Sequence, residues 1–112
     1  MATGASTPDG AVREFYQLVE QHQFDAAAQL WTDRMKVDYP VDLNLVGHFN
    51  PAKRVDVQIG KVTNDGAGHA TVAVAVTETR TTEPTTRRYT GSWSLVRGPS
   101  GWLLDQPNLT PA

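Results

Sequence analysis

The sequence predicts an α+β domain in which three N-terminal helices pack on a curved four-stranded antiparallel meander. Three observations predict it. Apolar residues recur at helical spacing up to about residue 50 and at every second position after it. The turn-rich clusters "NDGAG", "EPTT" and "GPSG" divide the second half into four runs. The length of 112 residues suits one domain and is enough to bury a core without staples.

The first helix is predicted from Val12, Phe15, Tyr16 and Val19, which share one helical face. Asp9 is its expected cap. A second helix is expected to be capped by Asp25 and to bury Ala27, Ala28, Leu30, Trp31 and Met35 before Pro40 stops it. The run Ala26-Ala27-Ala28 favours helix and lets a neighbour approach closely. A short third helix is expected from Asp42, with Leu45, Val46 and Phe49 inward, ending at Pro51.

The strands follow by alternation. Val55, Val57 and Ile59 mark the first, Val72, Val74 and Val76 the second, Tyr89, Trp93 and Leu95 the third, and "WLLD" opens the fourth. Turns centred on Gly66-Ala67, Pro84-Thr85 and Pro99-Ser100 set the register. They place Val57 opposite Val76, Ile59 opposite Val74, Val76 opposite Trp93, Val74 opposite Leu95, Leu95 opposite Leu104 and Arg97 opposite Trp102. One face then carries the large apolar residues and needs the helices as cover. The other carries Ala73, Ala75, Thr77, Ser92, Ser94 and Asp105. A slip of one residue would exchange the two faces.

Composition narrows the function. Cysteine is absent, so disulfides and thiolate-ligated metals are excluded while either redox compartment remains open. The formal net charge of −2 gives no reason to expect a nucleic-acid or anionic-membrane partner. The pair Arg87-Arg88 reads as a solvated strand start. No apolar run approaches the roughly 20 residues of a membrane span. The opening "MATGASTPDG" lacks the basic start and apolar middle of a signal peptide. Residues 1–8 read as a flexible lead-in, 9–109 as the domain and 110–112 as a tail.

Two stretches carry a family resemblance. "FYQLVEQHQFDAAAQLW", with its tight Gln-Phe-Asp junction, resembles the opening helix pair of the nuclear transport factor 2-like superfamily. "GSWSLVRGPSGWLLDQPNL" is similar to its closing hairpin. The resemblance in layout covers about residues 9 to 108 and implies a cone-shaped domain with a pocket between sheet and helices. It is strongest to small bacterial members of unassigned activity, often tethered outside the cytoplasmic membrane, which implies an extracytoplasmic domain of a larger protein. The superfamily includes isomerases, cyclases, epoxide hydrolases and dehydratases beside pure binding and dimerisation modules, so its fold does not settle function.

The resemblance also supplies a test for isomerase chemistry. Tyr16 matches the family's oxyanion-donating tyrosine. The position of the general base holds Tyr39, next to Asp38, and that of the second acid holds Trp93. Enolisation needs a base and oxyanion donors, and two aromatics supply no base. No catalytic residue is therefore assigned. A second enzyme reading, of the cyclase or hydrolase type, draws on Asp38, Asp42 and His48, which are close in sequence. Asp42 reads more simply as a cap and the other two as surface residues at segment ends. His22, His48 and His69 stand apart, without the spacing of metal ligands, so neither a metal nor a cofactor is expected. "GAG" at 66–68 opens no helix and is a turn. "NLT" at 108–110 is a sequon by chance composition.

The aromatic residues Tyr16, Trp31, Tyr39, Phe49, Tyr89, Trp93 and Trp102 are expected between sheet and helices. They either fill a core or line an apolar pocket for a flat hydrophobic ligand. The expected role is a non-catalytic ligand-binding or protein-interaction module, with a small isomerase, cyclase or hydrolase as the alternative. The band Ala73, Ala75, Thr77, Ser92 and Ser94 holds only small side chains and is expected to pair two copies in a homodimer.

Overall fold

The computed structural model describes residues 6–83, 85–99 and 101–112. Most of the expected lead-in, residues 1–5, lies outside them, as do the turn residues Pro84 and Ser100. Helix α1 spans Pro8–Glu20. Its cap is Thr7, not Asp9: the Thr7 hydroxyl accepts from the Gly10 N–H at 3.2 Å. Pro8 explains the shift, because its fixed φ and missing N–H suit the first helical position. Asp9 falls in the first turn and pairs with Arg13 at 3.6 Å. Val12, Phe15, Tyr16 and Val19 are all buried, joined by Ala11.

The expected second helix is two. Helix α2 spans Phe24–Ala28 and α3 spans Asp33–Asp38. The chain leaves helical geometry between them to pair with the last strand. The Leu104 N–H donates to the Leu30 carbonyl at 2.7 Å, and the Thr32 N–H to the Leu104 carbonyl at 3.0 Å. Edge-strand pairing outcompetes helix continuation here. Thr32 then caps α3, accepting from the Met35 N–H at 3.1 Å. Asp25 is a first-turn residue of α2, which has no side-chain cap. After Pro40 comes a π-helical turn, Asp42–Val46, that runs into α4, Gly47–Phe49. Leu45 and Phe49 are buried as expected, while Val46 is half-buried and Asp42 caps nothing.

Four antiparallel strands follow: β1 Ala52–Asn64, β2 His69–Arg80, β3 Thr86–Gly98 and β4 Gly101–Pro111, in that spatial order. The sheet stays open, with β1 and β4 as its edges; it does not close on itself as a full cone would. The first and third hairpins have the expected register: Val57 pairs with Val76, Ile59 with Val74, Leu95 with Leu104 and Arg97 with Trp102.

The second hairpin differs. Val72 pairs with Trp93, Val74 with Gly91 and Val76 with Tyr89. The turn closes earlier than Pro84-Thr85, with the Arg80 N–H donating to the Thr85 carbonyl at 2.7 Å. The turn-forming run "TTEPTT" is six residues long, so its composition does not fix the centre. The shift is even in residue number, so each side chain keeps its face. Trp93, Leu95, Val74, Val76 and Leu104 are buried together against the helices.

A β-bulge explains the last strand. Ser94 pairs with Gln106 and Leu95 with Leu104, leaving Asp105 as the extra residue. The bulge resets the alternation, so Trp102 and Leu104 face the helices before it, and Pro107 and Leu109 face the same layer after it. Phe15 sits at the centre of the aromatic core, with ring centroids 5.8 Å from Trp31, 5.7 Å from Trp93 and 6.2 Å from Phe49.

Candidate functional site

At one end of the core the layers do not fill the space between them. The first half of β2 and the end of β3 pack closed, with Val72, Leu95, Leu104 and Trp102 buried. Toward the other end, where Val76 pairs with Tyr89, a cavity of about 380 Å³ remains. Helices α1, α3 and α4 and strands β2, β3 and β4 all contribute to its wall. Six of the seven aromatics expected at a pocket line it: Tyr16, Trp31, Tyr39, Phe49, Tyr89 and Trp93. Trp102 does not; it is buried near the Gly98–Gly101 hairpin, five residues before the cavity-lining Pro107.

Two polar groupings meet the cavity. The first joins α1 to β3: the Trp93 indole N–H donates to the Tyr16 hydroxyl at 3.0 Å. Burial pushes the Tyr16 hydroxyl well above the usual tyrosine range. The Trp93 N–H opposes that rise, and the nearby Glu78 carboxylate adds to it. Tyr16 therefore stays a neutral O–H group. The indole N–H of Trp31 is buried and has no partner among the described residues.

The second grouping is charged. Glu78 and Arg80 are both buried, 2% and 6% exposed. Glu78 Oε1 accepts from Arg80 Nη1 at 2.8 Å, and its Oε2 lies 2.9 Å from His48 Nε2. Arg80 Nη1 also donates to the His48 backbone carbonyl at 3.0 Å. Thus β2 and α4 are tied through a carboxylate whose two oxygens are both engaged, the arrangement a buried charge requires. His48 and Glu78 line the cavity, and Arg80 is not among the lining residues. The His48 ring is held edge-on to Phe49 at 4.6 Å and tilted to Tyr89 at 5.9 Å.

The sequence carried a signal for this cluster. The inward alternation Val72, Val74, Val76 continues, residue for residue, through Glu78 and Arg80. Two charged residues at inward positions of one strand must answer each other or a third group.

Solved structures share this architecture. A SEC-C motif containing protein from Rhodopseudomonas palustris superposes with a TM-score of 0.76 at 13% identity, over 92% of this chain and 78% of its own. A protein from Thiobacillus denitrificans, assigned as a calcium/calmodulin-dependent protein kinase type II association domain, gives 0.75 at 18% identity, over 97% and 98% of the two chains. A ketosteroid isomerase-like protein from Erwinia carotovora atroseptica gives 0.59 at 17% identity, over 88% and 94%. The chain has the nuclear transport factor 2-like fold. No protein-family model and no curated protein sequence matches it. Structural relatives with this fold thus include an association domain and an isomerase-like protein.

Tyr39 and Trp93, the residues that the family resemblance sets against an isomerase's base and second acid, both line the cavity. The trio Asp38, Asp42 and His48 is not brought together. Asp38 and Asp42 are exposed, and His48 turns instead to Glu78. His22 bonds to the Ala52 carbonyl at 2.7 Å, and His69 lies 3.5 Å from Asp65 on the surface. Among the described residues no three His, Cys, Asp or Glu side chains gather as metal ligands.

Asp105 lies outside the cavity wall. As the bulge residue it accepts from the Thr32 hydroxyl at 2.7 Å and lies 2.9 Å from Arg34 Nη2. It fastens the start of α3 to the sheet edge. On the outer face, Ala73 pairs with Ser92 and Thr71 with Ser94, and Ala73, Ala75, Thr77, Ser92 and Ser94 are each half-buried. Among the described residues no helix is long and apolar enough to cross a membrane.

Proposed function

We propose that this domain is a small-ligand-binding module whose site is the aromatic cavity, with the sheet's twist over the helices giving that cavity a cone-like wall. One observation carries the reading: about 380 Å³ of space persists amid aromatic side chains that are otherwise packed to van der Waals contact. A concave, mostly apolar cleft of this size with a few polar groups in its wall is the usual form of a small-molecule site. Flat rings suit its walls, and the aromatics at positions 39 and 93 leave the isomerase mechanism without its acids. In this reading two copies pair through Ala73, Ala75, Thr77, Ser92 and Ser94, and the domain is the extracytoplasmic part of a larger bacterial protein. Its test is a thermal-shift screen with flat apolar compounds, followed by calorimetry on any that raise the melting temperature. Failure of every flat ring to bind contradicts the reading.

A second reading, a small isomerase, cyclase or hydrolase, has the His48–Glu78 pair in its favour. A carboxylate behind an imidazole orients it and supports proton removal. Turnover of an enolisable ketone or an epoxide that is lost in His48→Ala, with the fold intact, would favour this reading over the first.

A further inference from the structure

Resting on the ligand-binding reading above, we propose that Arg87 forms an anion subsite beside the aromatic cavity, and that the ligand is a flat ring carrying a carboxylate on a short arm. The register of the second hairpin places this residue. Arg87 pairs with Glu78 and Tyr89 with Val76, and directly paired residues of antiparallel strands share a face. Glu78 and Val76 are buried on the helix side of β2. Arg87 therefore lies on that side, with Glu78 across from it and Tyr89 two residues on. Both of these neighbours line the cavity. Arg87 itself lines a hollow of about 350 Å³ with Thr86, Arg88, Tyr89, Pro111 and Ala112. Tyr89 is thus a wall common to the cavity and the hollow.

Charge then selects the ligand. A guanidinium is always protonated in a protein. Arg88 is exposed, as the expected solvated strand start requires, but Arg87 is half-buried. Among the described residues Arg87 forms no ion pair. Glu78 does not supply one, although it is the directly paired residue: its two oxygens are engaged by Arg80 at 2.8 Å and by His48 at 2.9 Å. No Asp or Glu lines the hollow. Glu78 and Arg80 cancel one another, so Arg87 leaves this end of the inner face positive whether or not His48 is protonated. A half-buried cation has lost part of its hydration and gains from an anionic partner, and the guanidinium fork matches a carboxylate. The ring of such a ligand stacks among the cavity aromatics, and its arm passes Tyr89 to reach Arg87.

The experiment is calorimetry at about pH 7, where a free carboxylate and a free amine are both ionised. Three probes share one ring and one arm: 3-(2-naphthyl)propanoate, its neutral amide and 3-(2-naphthyl)propylamine. The propanoate should bind about tenfold more tightly than the amide, as one charge-assisted hydrogen bond implies, and the amine more weakly than either. Arg87→Gln should keep the affinity for the amide and lose the preference for the propanoate. Arg97→Gln removes the same charge from an exposed position at the far end of β3 and should keep that preference. In wild type, the Nε–H signal of Arg87 should shift on adding the propanoate and not on adding the amide, a readout that needs no variant to fold. Equal binding of propanoate and amide, the amine binding tightest, an unmoved Arg87 signal, or a preference that survives Arg87→Gln or is lost equally in Arg97→Gln overturns the anion subsite and leaves the ligand-binding reading standing. Failure of all three probes while another flat ring binds overturns the subsite alone; failure of every flat ring overturns both.

Discussion

The indole N–H of Trp93 on β3 donates to the hydroxyl of Tyr16 on α1 across 3.0 Å, inside the buried layer. This one bond joins the two elements that close the inner wall of the cavity. It also occupies the oxygen of Tyr16, so that what Tyr16 offers a ligand is its proton.

Trp93 is 4% exposed and packs edge-on against Phe15 and Tyr16. Trp93→Ala should therefore cost about 3–5 kcal/mol, measured by urea unfolding. Tyr16→Phe should cost about 1–3 kcal/mol, because it leaves the indole N–H buried without an acceptor. A loss under about 1 kcal/mol for Trp93→Ala would mean that the side chain is not core.

The buried Tyr16 hydroxyl has its pKa raised, so the sign of its pH dependence follows. Its contribution to stability is complete below the ordinary tyrosine pKa of about 10 and is lost as pH rises above it. Urea midpoints for wild type should fall through that alkaline window more steeply than those of Tyr16→Phe. Parallel curves for the two proteins would contradict the burial of a neutral hydroxyl.

Glu78 and Arg80 answer one another within the fold. Glu78→Ala leaves a buried guanidinium without its carboxylate and should cost about 3–5 kcal/mol. Replacing both, as Glu78→Leu with Arg80→Met, should recover most of that loss. Additive losses in the double variant would show that the two charges are not coupled.

Gly91 has φ of +146°, and a Cβ there would run into the backbone carbonyl of Asn108 on the neighbouring strand. Gly91→Ala should cost at least about 1–3 kcal/mol through strain and displacement of β4. A neutral substitution would mean that the β3–β4 register slides freely.

The small-residue face gives a prediction about assembly. Sedimentation equilibrium should show a dimer for wild type and a monomer for Ala75→Arg, because the arginine would intrude on a close sheet-to-sheet contact. A monomeric wild type at high concentration would contradict the pairing.

What the sequence made legible follows from how local each signal is. The inward faces of β1, β2, β3 and the start of β4 came from alternation alone, which survives any even shift of register; the position of the second turn did not, since "TTEPTT" holds several equivalent centres, and neither did the inward turn of Pro107 and Leu109, which follows from the bulge at Asp105. The break between α2 and α3 was invisible in the helical spacing of Ala27, Leu30, Trp31 and Met35, because the competing bonds come from Leu104, more than seventy residues away. "TDRM", a Thr cap before an acidic first turn, was its local trace. The cavity aromatics were legible as a set, although nothing local separates Trp93, beside the cavity, from Trp102, in the closed end. The His48–Glu78–Arg80 cluster was half legible: β2 alternation puts both charges inward, and only the packed fold brings His48 to them.

The three tryptophans provide the most direct test of the central claim, because Trp31 and Trp93 line the cavity and Trp102 does not. Each contributes one indole N–H signal to a proton–nitrogen correlation spectrum. On titration with a flat apolar ring such as 2-methoxynaphthalene, the Trp31 and Trp93 signals should shift in a saturable way while the Trp102 signal stays in place. Shifts confined to Trp102, or no saturable shift in any of the three, would contradict a ligand site in the cavity.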